Sequence, residues 1–327
     1  MIVPQHWAEA RAQHRQTGRT LTVRRYGWSD TSAADAQAMA EQRTQEALAR
    51  LLAGETKLPR REPKVGYNGG AGLPIREEIL SRHGGALITR NSYGARCLNT
   101  PDVLFVDVDF GVTMRWQQVM ALAVMLIAVG WLLAWLLHSW VLGLVLMPVA
   151  MLGAAPLNAV LLRLAQGLRG GPEQDARRRI TRFLAQHPDW GLRLYRTPAG
   201  LRLLVTHRSF RPDEPAVADC FAALGADPVY ATMCRNQQCF RARLSAKPWR
   251  IGIADHLRPR PGVWPVAPER LPLRTAWVAN YEARARDHAA CAYLEHLGHP
   301  LIAAEVQPVL RLHDEQCRAL VPGLTLA

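Results

Sequence analysis

Residues 119–162 read VMALAVMLIAVGWLLAWLLHSWVLGLVLMPVAMLGAAPLNAVLL. No Asp, Glu, Lys or Arg stands between Arg115 and Arg163. One membrane span needs about 20 apolar residues, so this run is long enough for two. His138-Ser139-Trp140 is its only polar break. The pattern predicts a helical hairpin, with spans near 119–137 and 141–162, because lipid leaves backbone polar groups no partner but their own helix. A buried helical pair of a soluble core is the competing reading, and core helices seldom run so long without a charge. Pro148 and Pro156 fall in the second span, where a neighbouring helix tolerates a kink. Trp116, Trp131, Trp135 and Trp140 gather mainly towards the ends, as in an interfacial belt.

The flanks set the expected orientation. Arg115 precedes the first span, and Arg163, Arg169, Arg177, Arg178 and Arg179 follow the second, while the turn between them carries no Lys or Arg. Excess positive charge stays on the cytoplasmic side. Both termini are therefore expected in the cytoplasm, in a multi-pass protein of the inner cell membrane. The first 15 residues, MIVPQHWAEARAQHR, are too polar for a signal peptide.

The 327 residues carry 40 basic and 27 acidic side chains, a net charge of +13. Only Lys57, Lys64 and Lys247 are lysines, so the excess is arginine. Such a surface attracts anionic lipid heads or nucleic acid, and genome base composition produces the same bias without any function. The six cysteines, at 97, 220, 234, 239, 291 and 317, all lie outside the hairpin on the side assigned to the cytoplasm. There thiols stay reduced.

On either side of the hairpin the pattern is α+β, a mixed or antiparallel sheet domain. Residues 1–28 predict a polar helix and then an extended piece. Residues 33–53 predict a helix capped by Asp30, Thr31 or Ser32 and ended by Gly54. LPRREPKVGYNGGAGLP (58–74) is a loop whose Gly69-Gly70 pair lacks the context of a phosphate loop. A short helix is expected over 74–83, then strands at 86–90, 95–98 and 103–110. After the hairpin come a helix over 172–186, strands at 191–197 and 201–207, a helix over 215–224, an extended piece at 229–235, strands at 239–245 and 250–254, and helices over 277–298 and 301–320. The expected partition is residues 1–115, the hairpin 116–165, and 166–327 completing the domain. Residues 86–110 and 173–254 would build one sheet.

The strand VLFVDVDF (103–110) is the chemical feature. It is apolar except for Asp107 and Asp109. Residues two apart share a face of a strand, and paired buried carboxylates are costly. A hard divalent cation resolves both problems, giving a Mg²⁺ or Mn²⁺ pair for phosphoryl or nucleotidyl transfer. The plain alternative is a strand end with a solvated Asp109. Cys234 and Cys239 with His296 and His299 could supply four zinc ligands, though the spacing is not diagnostic. Neither Gly-x-Ser-x-Gly nor His-Glu-x-x-His occurs.

LFVDVDF followed by a helix and RLYRTPAGLRLLVTH resembles the palm of archaeo-eukaryotic primase-polymerases. That likeness implies metal binding by Asp107 and Asp109 and a catalytic role for them with Asp255, which ends RIGIAD. It implies nucleotide contacts from Thr197, Gly200 and Arg202, and a nucleotide or nucleic-acid partner. Two departures stand out: Arg202 replaces the family's His, and the hairpin splits the palm. Two further readings stand beside this one. The first is a non-catalytic membrane scaffold binding an unidentified protein partner or anionic lipid through its arginines. The second is a membrane glycosyltransferase, for which too few strands precede Asp107.

Overall fold

The computed structural model describes residues 3–16, 19–55, 57–63, 73–111, 116–168 and 170–327. The glycine pair 69–70, Arg115 and Arg169 lie outside them. The chain divides into two compact units: residues 1–108 with 183–327, and Asp109–Arg182.

The first unit starts with an antiparallel hairpin of β1 (His6–Gln16) and β2 (Arg19–Ser29), which covers α1 (Ala33–Leu52). This corrects the polar helix expected over 1–28. The run is rich in helix formers, yet Trp7, Val23 and Tyr26 are buried and strand pairing overrides the local preference. α1 is capped by Ser32, whose hydroxyl accepts from Asp35 N–H. Its small buried face of Ala36, Ala40 and Ala47 lets the hairpin approach closely.

A second layer is the antiparallel sheet β3-β4-β5-β9, built from β3 (Glu78–His83), β4 (Ala86–Arg90), β5 (Arg96–Thr100) and, from far along the chain, residues 240–243 as β9. The helix expected over 74–83 is thus a strand from Glu78, held in register by β4. Next comes β6 (Phe105–Asp109), at the edge of another sheet.

The second unit is mainly a helical hairpin: α2 (Trp116–Leu136), α3 (Trp140–Leu168) and the first turns of α4 (Gly171–Gln186). His138 turns the chain in the left-handed region (φ 54°), and Ser139 N–H reaches back to Ala134 C=O at 2.9 Å, a helix-ending arrangement. Between α2 and α3 the buried residues are small: Ala123, Gly130 and Ala134 against Gly143, Ala150, Ala154 and Asn158. A Cβ on Gly143 would come within 2.8 Å of the Trp131 ring. The large apolar side chains point away, with Trp135 at 71% and Leu152 at 80% exposure.

The first unit resumes with β7 (Gly191–Arg196) and β8 (Gly200–Val205), then α5 (Pro215–Leu224), α6 (Pro228–Gln237) and β9 (Phe240–Arg243). α6 corrects the extended piece expected at 229–235; Asp227 caps it through Val229 N–H. Residues 248–251 form a 3₁₀ turn where a strand was expected. α7 (Leu271–Ala285) is followed by β10 (His288–Ala289), β11 (Ala292–Gly298), α8 (Gln307–Cys317) and β12 (Thr325–Leu326). The single helix expected over 277–298 therefore stops at Ala285, and residues 292–298 pair antiparallel with β7. β10 and β12 make a small parallel pair.

The order β11-β7-β8-β6 gives a sheet separate from β3-β4-β5-β9. The one sheet expected from residues 86–110 and 173–254 is two. Their division falls after β5, because β6 bonds to β8 (Val205 N–H to Leu104 C=O, 3.0 Å) while β5 takes β9.

Candidate functional site

β6 and β8 place Asp107 and Arg202 face to face. Arg202 is buried and forks onto the carboxylate, Nε to Oδ1 at 2.7 Å and Nη2 to Oδ2 at 3.1 Å. Its Nη1 donates to Arg243 C=O of β9 at 2.8 Å and lies 3.5 Å from His313 Nε2 of α8. Burial works against the charge of Arg202, and Asp107 more than offsets it, holding its pKa well above the usual arginine value. Planar guanidinium on carboxylate is the strong form of such a pair. Asp107, itself half-buried, thus has a protein side chain as its cation partner.

The other residues singled out by sequence lie as follows. Asp109 is exposed at the end of β6, in the segment that belongs to the hairpin unit. Thr197 and Gly200 close the β7–β8 turn: Thr197 N–H donates to Gly200 C=O at 2.9 Å, and Gly200 N–H to Thr197 Oγ1 at 3.0 Å. Asp255 is exposed and pairs with Arg258 at 2.9 Å and Arg260 at 3.6 Å. Cys234 is buried in α6 and Cys239 just beyond it, whereas His296 bonds to His299 C=O near the end of β11.

Among the described residues, the one group of three or more metal-type ligands is a different set: Cys291, His313 and Cys317, all buried, with donor atoms within 4.8 Å of one another. Cys291 lies between β10 and β11. His313 and Cys317 stand four apart on α8, hence on one helical face. Cys291 Sγ is 3.8 Å from His313 Nε2, and Cys317 Sγ is 3.6 Å from Arg243 C=O. His313 Nδ1 is 3.2 Å from Asp314 Oδ1. Asp314 is held by Tyr195 O–H at 2.6 Å and Arg193 Nη2 at 2.6 Å. The Phe105 and Tyr195 rings flank the imidazole at 5.2 and 4.7 Å.

The electrostatics of this group are uneven. The Cys317 thiol hydrogen-bonds Cys291 and pulls its pKa well below the usual thiol value against the effect of burial, helped by His313 and Arg202. Burial and that same contact push Cys317 up. Burial opposes a charged His313, but Cys291 and Asp314 together raise its pKa. Burial, reinforced by Asp314, raises the Tyr195 phenol strongly. By contrast Cys220 is pushed up to about 12 and Cys239 to about 11, by burial in both cases.

Sequence reasoning missed this group. Its legible half was His313-x-x-x-Cys317; Cys291 lies 22 residues before His313 and joins only through the fold.

Comparison of the chain with family models, with curated proteins and with solved structures finds no match.

Proposed function

We propose that the protein is a membrane-anchored, non-catalytic binding protein. The α2–α3 hairpin crosses the bilayer twice, and the α+β unit stands on the cytoplasmic side with both chain ends. The observation that carries this reading is the inside-out composition of the hairpin. Small residues line the contact between its helices, and Trp116, Val124, Trp135, Val145 and Leu152 face outward, each more than half exposed. In water such a patch would far exceed what a soluble monomer tolerates. In lipid it is the expected arrangement, since small residues let helices approach and large ones meet the acyl chains. At 1.5 Å per residue, α2 is about 31 Å long and α3 about 43 Å, against a hydrocarbon core of about 30 Å. The excess length of α3 carries Arg163 and Gln166 at its polar end.

The binding role rests on charge and on the state of Asp107. A net charge of +13, carried mainly by arginine, favours the anionic headgroups of the cytoplasmic leaflet. Nucleotidyl transfer by Asp107, Asp109 and Asp255 with Mg²⁺ or Mn²⁺ gives way to this reading. Both oxygens of Asp107 are taken by Arg202, and Asp255 pairs with the arginines of its own loop.

Membrane fractionation is the test. The full chain should stay in the pellet through alkaline carbonate and urea and leave it only with detergent. Cysteines introduced by Glu46→Cys and Gln174→Cys should react with an impermeant reagent from the cytoplasmic face alone, and one from Ser139→Cys only from the other. A chain found in the aqueous fraction, or Glu46→Cys and Gln174→Cys labelled from opposite faces, would refute the anchor. Calorimetric heat from Mn²⁺ and a nucleoside triphosphate, lost in Asp107→Asn, would restore the enzyme reading.

A further inference from the structure

We propose that Cys291, His313 and Cys317 bind a soft divalent cation of the Zn²⁺ class in a buried structural site. Zinc bonds of about 2.3 Å to sulfur and 2.0–2.1 Å to nitrogen, at the tetrahedral angle, set a sulfur–nitrogen separation of about 3.6 Å. Cys291 Sγ and His313 Nε2 are 3.8 Å apart, and all three donor atoms fall within 4.8 Å of one another. Closing on a metal therefore asks only for small side-chain shifts.

The surroundings are those of a ligand set. His313 directs Nδ1 to Asp314, so its Nε2 faces the thiols. A carboxylate behind an imidazole is the usual second partner of a metal-bound histidine. Asp314 is fixed in turn by Tyr195 and Arg193, both at 2.6 Å. Arg202 does not compete strongly for Nε2: it lies 3.5 Å away, and its Nη1 already donates to Arg243 C=O at 2.8 Å. Charge balance agrees. Two thiolates, a neutral imidazole and a divalent cation sum to zero beside the internally balanced Arg202–Asp107 pair, which suits a buried place. Binding displaces any proton on the thiols and on Nε2, while the imidazole keeps Nδ1–H toward Asp314.

The donor chemistry also selects the metal. Thiolate and imidazole suit zinc and not Mg²⁺ or Mn²⁺. The oxygens of Asp314 are committed to Tyr195, Arg193 and His313. Arg243 C=O lies 3.6 Å from Cys317 Sγ and already accepts from Arg202 Nη1. The burial of all three side chains makes the site a structural one. It would pin the end of α8 to the β10–β11 connection, where the backbone already bonds Ala290 N–H to Cys317 C=O at 3.1 Å.

The test uses the full chain, purified in detergent under reducing conditions without chelator. Metal analysis should find one zinc per chain. After stripping and reloading with Co²⁺, the protein should show thiolate-to-cobalt charge transfer in the near ultraviolet and the strong visible bands of a tetrahedral site. Cys291→Ser and Cys317→Ser should each lose that spectrum, while Cys234→Ser keeps it. Asp314→Asn should weaken binding about 10- to 100-fold. Where a serine variant fails to fold, the wild-type Co²⁺ spectrum decides alone. No stoichiometric metal after Zn²⁺ loading, a Co²⁺ spectrum without thiolate charge transfer, or a Cys291–Cys317 disulfide in the isolated protein would each overturn the site.

Discussion

Removing Asp107 and removing Arg202 should have unequal costs. The Arg202 side chain is 3% exposed, whereas that of Asp107 is 32% exposed. Asp107→Ala strands a buried guanidinium whose remaining acceptor is Arg243 C=O. Breaking a buried pair from one side costs about 3–5 kcal/mol. Because Asp107 is partly solvated, the lower end applies, about 3 kcal/mol. Arg202→Met leaves a carboxylate that turns to water, and methionine fills the vacated space, so about 1–2 kcal/mol is expected. The double variant should recover much of the first loss, with a coupling of about 3 kcal/mol. For a unit of roughly 250 residues, each kcal/mol moves Tm by about 2 °C. Asp107→Ala should therefore melt about 6 °C low and the double variant only about 2–4 °C low. Urea titration of the detergent-solubilised chain, followed by tryptophan fluorescence, gives all four corners of the cycle. If Asp107→Ala keeps wild-type stability, or the two single losses simply add, the pair is not the pin described here and Asp107 is free for other chemistry.

Three further outcomes follow from the packing. Gly143→Leu should drive a side chain into the Trp131 ring and weaken the α2–α3 hairpin by about 1–3 kcal/mol, visible as lost protease resistance in detergent. Tyr195→Phe removes a 2.6 Å hydrogen bond to a buried carboxylate. It should cost about 1.5–3 kcal/mol in urea unfolding. His207 lies 4.8 Å from the Trp190 ring and accepts from Gly191 N–H, and burial lowers its pKa below the ordinary 6.5. The unfolded chain then binds the proton more readily than the folded one. The stability that depends on neutral His207 is fully present above pH 6.5 and should fall as pH drops from there through the folded value; His207→Asn should flatten that slope in urea midpoints taken from pH 5 to 8.

The hairpin was legible because its signal is composition over more than forty residues, which no local propensity contradicts. The turns around Ser92 and Ala199 were legible for a similar reason: short strands bracket Gly-containing turns. Residues 1–28 failed because Ala, Glu, Gln and Arg favour a helix in isolation, whereas the buried Trp7 and Tyr26 hold the segment as a hairpin over α1. β11 failed because α7 and β11 lie only six residues apart, and the apolar pattern runs on across the junction. In the site, Asp107 and Arg202 were both marked, but for opposite reasons: as metal ligand and as phosphate contact. Neither pattern reveals that they answer each other, since 95 residues separate them. Cys291 offered no local pattern at all.

The position of β6 has a consequence for synthesis. Its sheet partner β8 is made only after the whole hairpin, and β9 reaches β5 later still. While the ribosome builds α2 and α3, a strand carrying the apolar Phe105, Val106 and Val108 waits without a neighbour. Formation of the helical hairpin and completion of both sheets are thus ordered in time by the chain itself, and a nascent chain stalled before residue 200 should need a chaperone on the strand ending at Asp109.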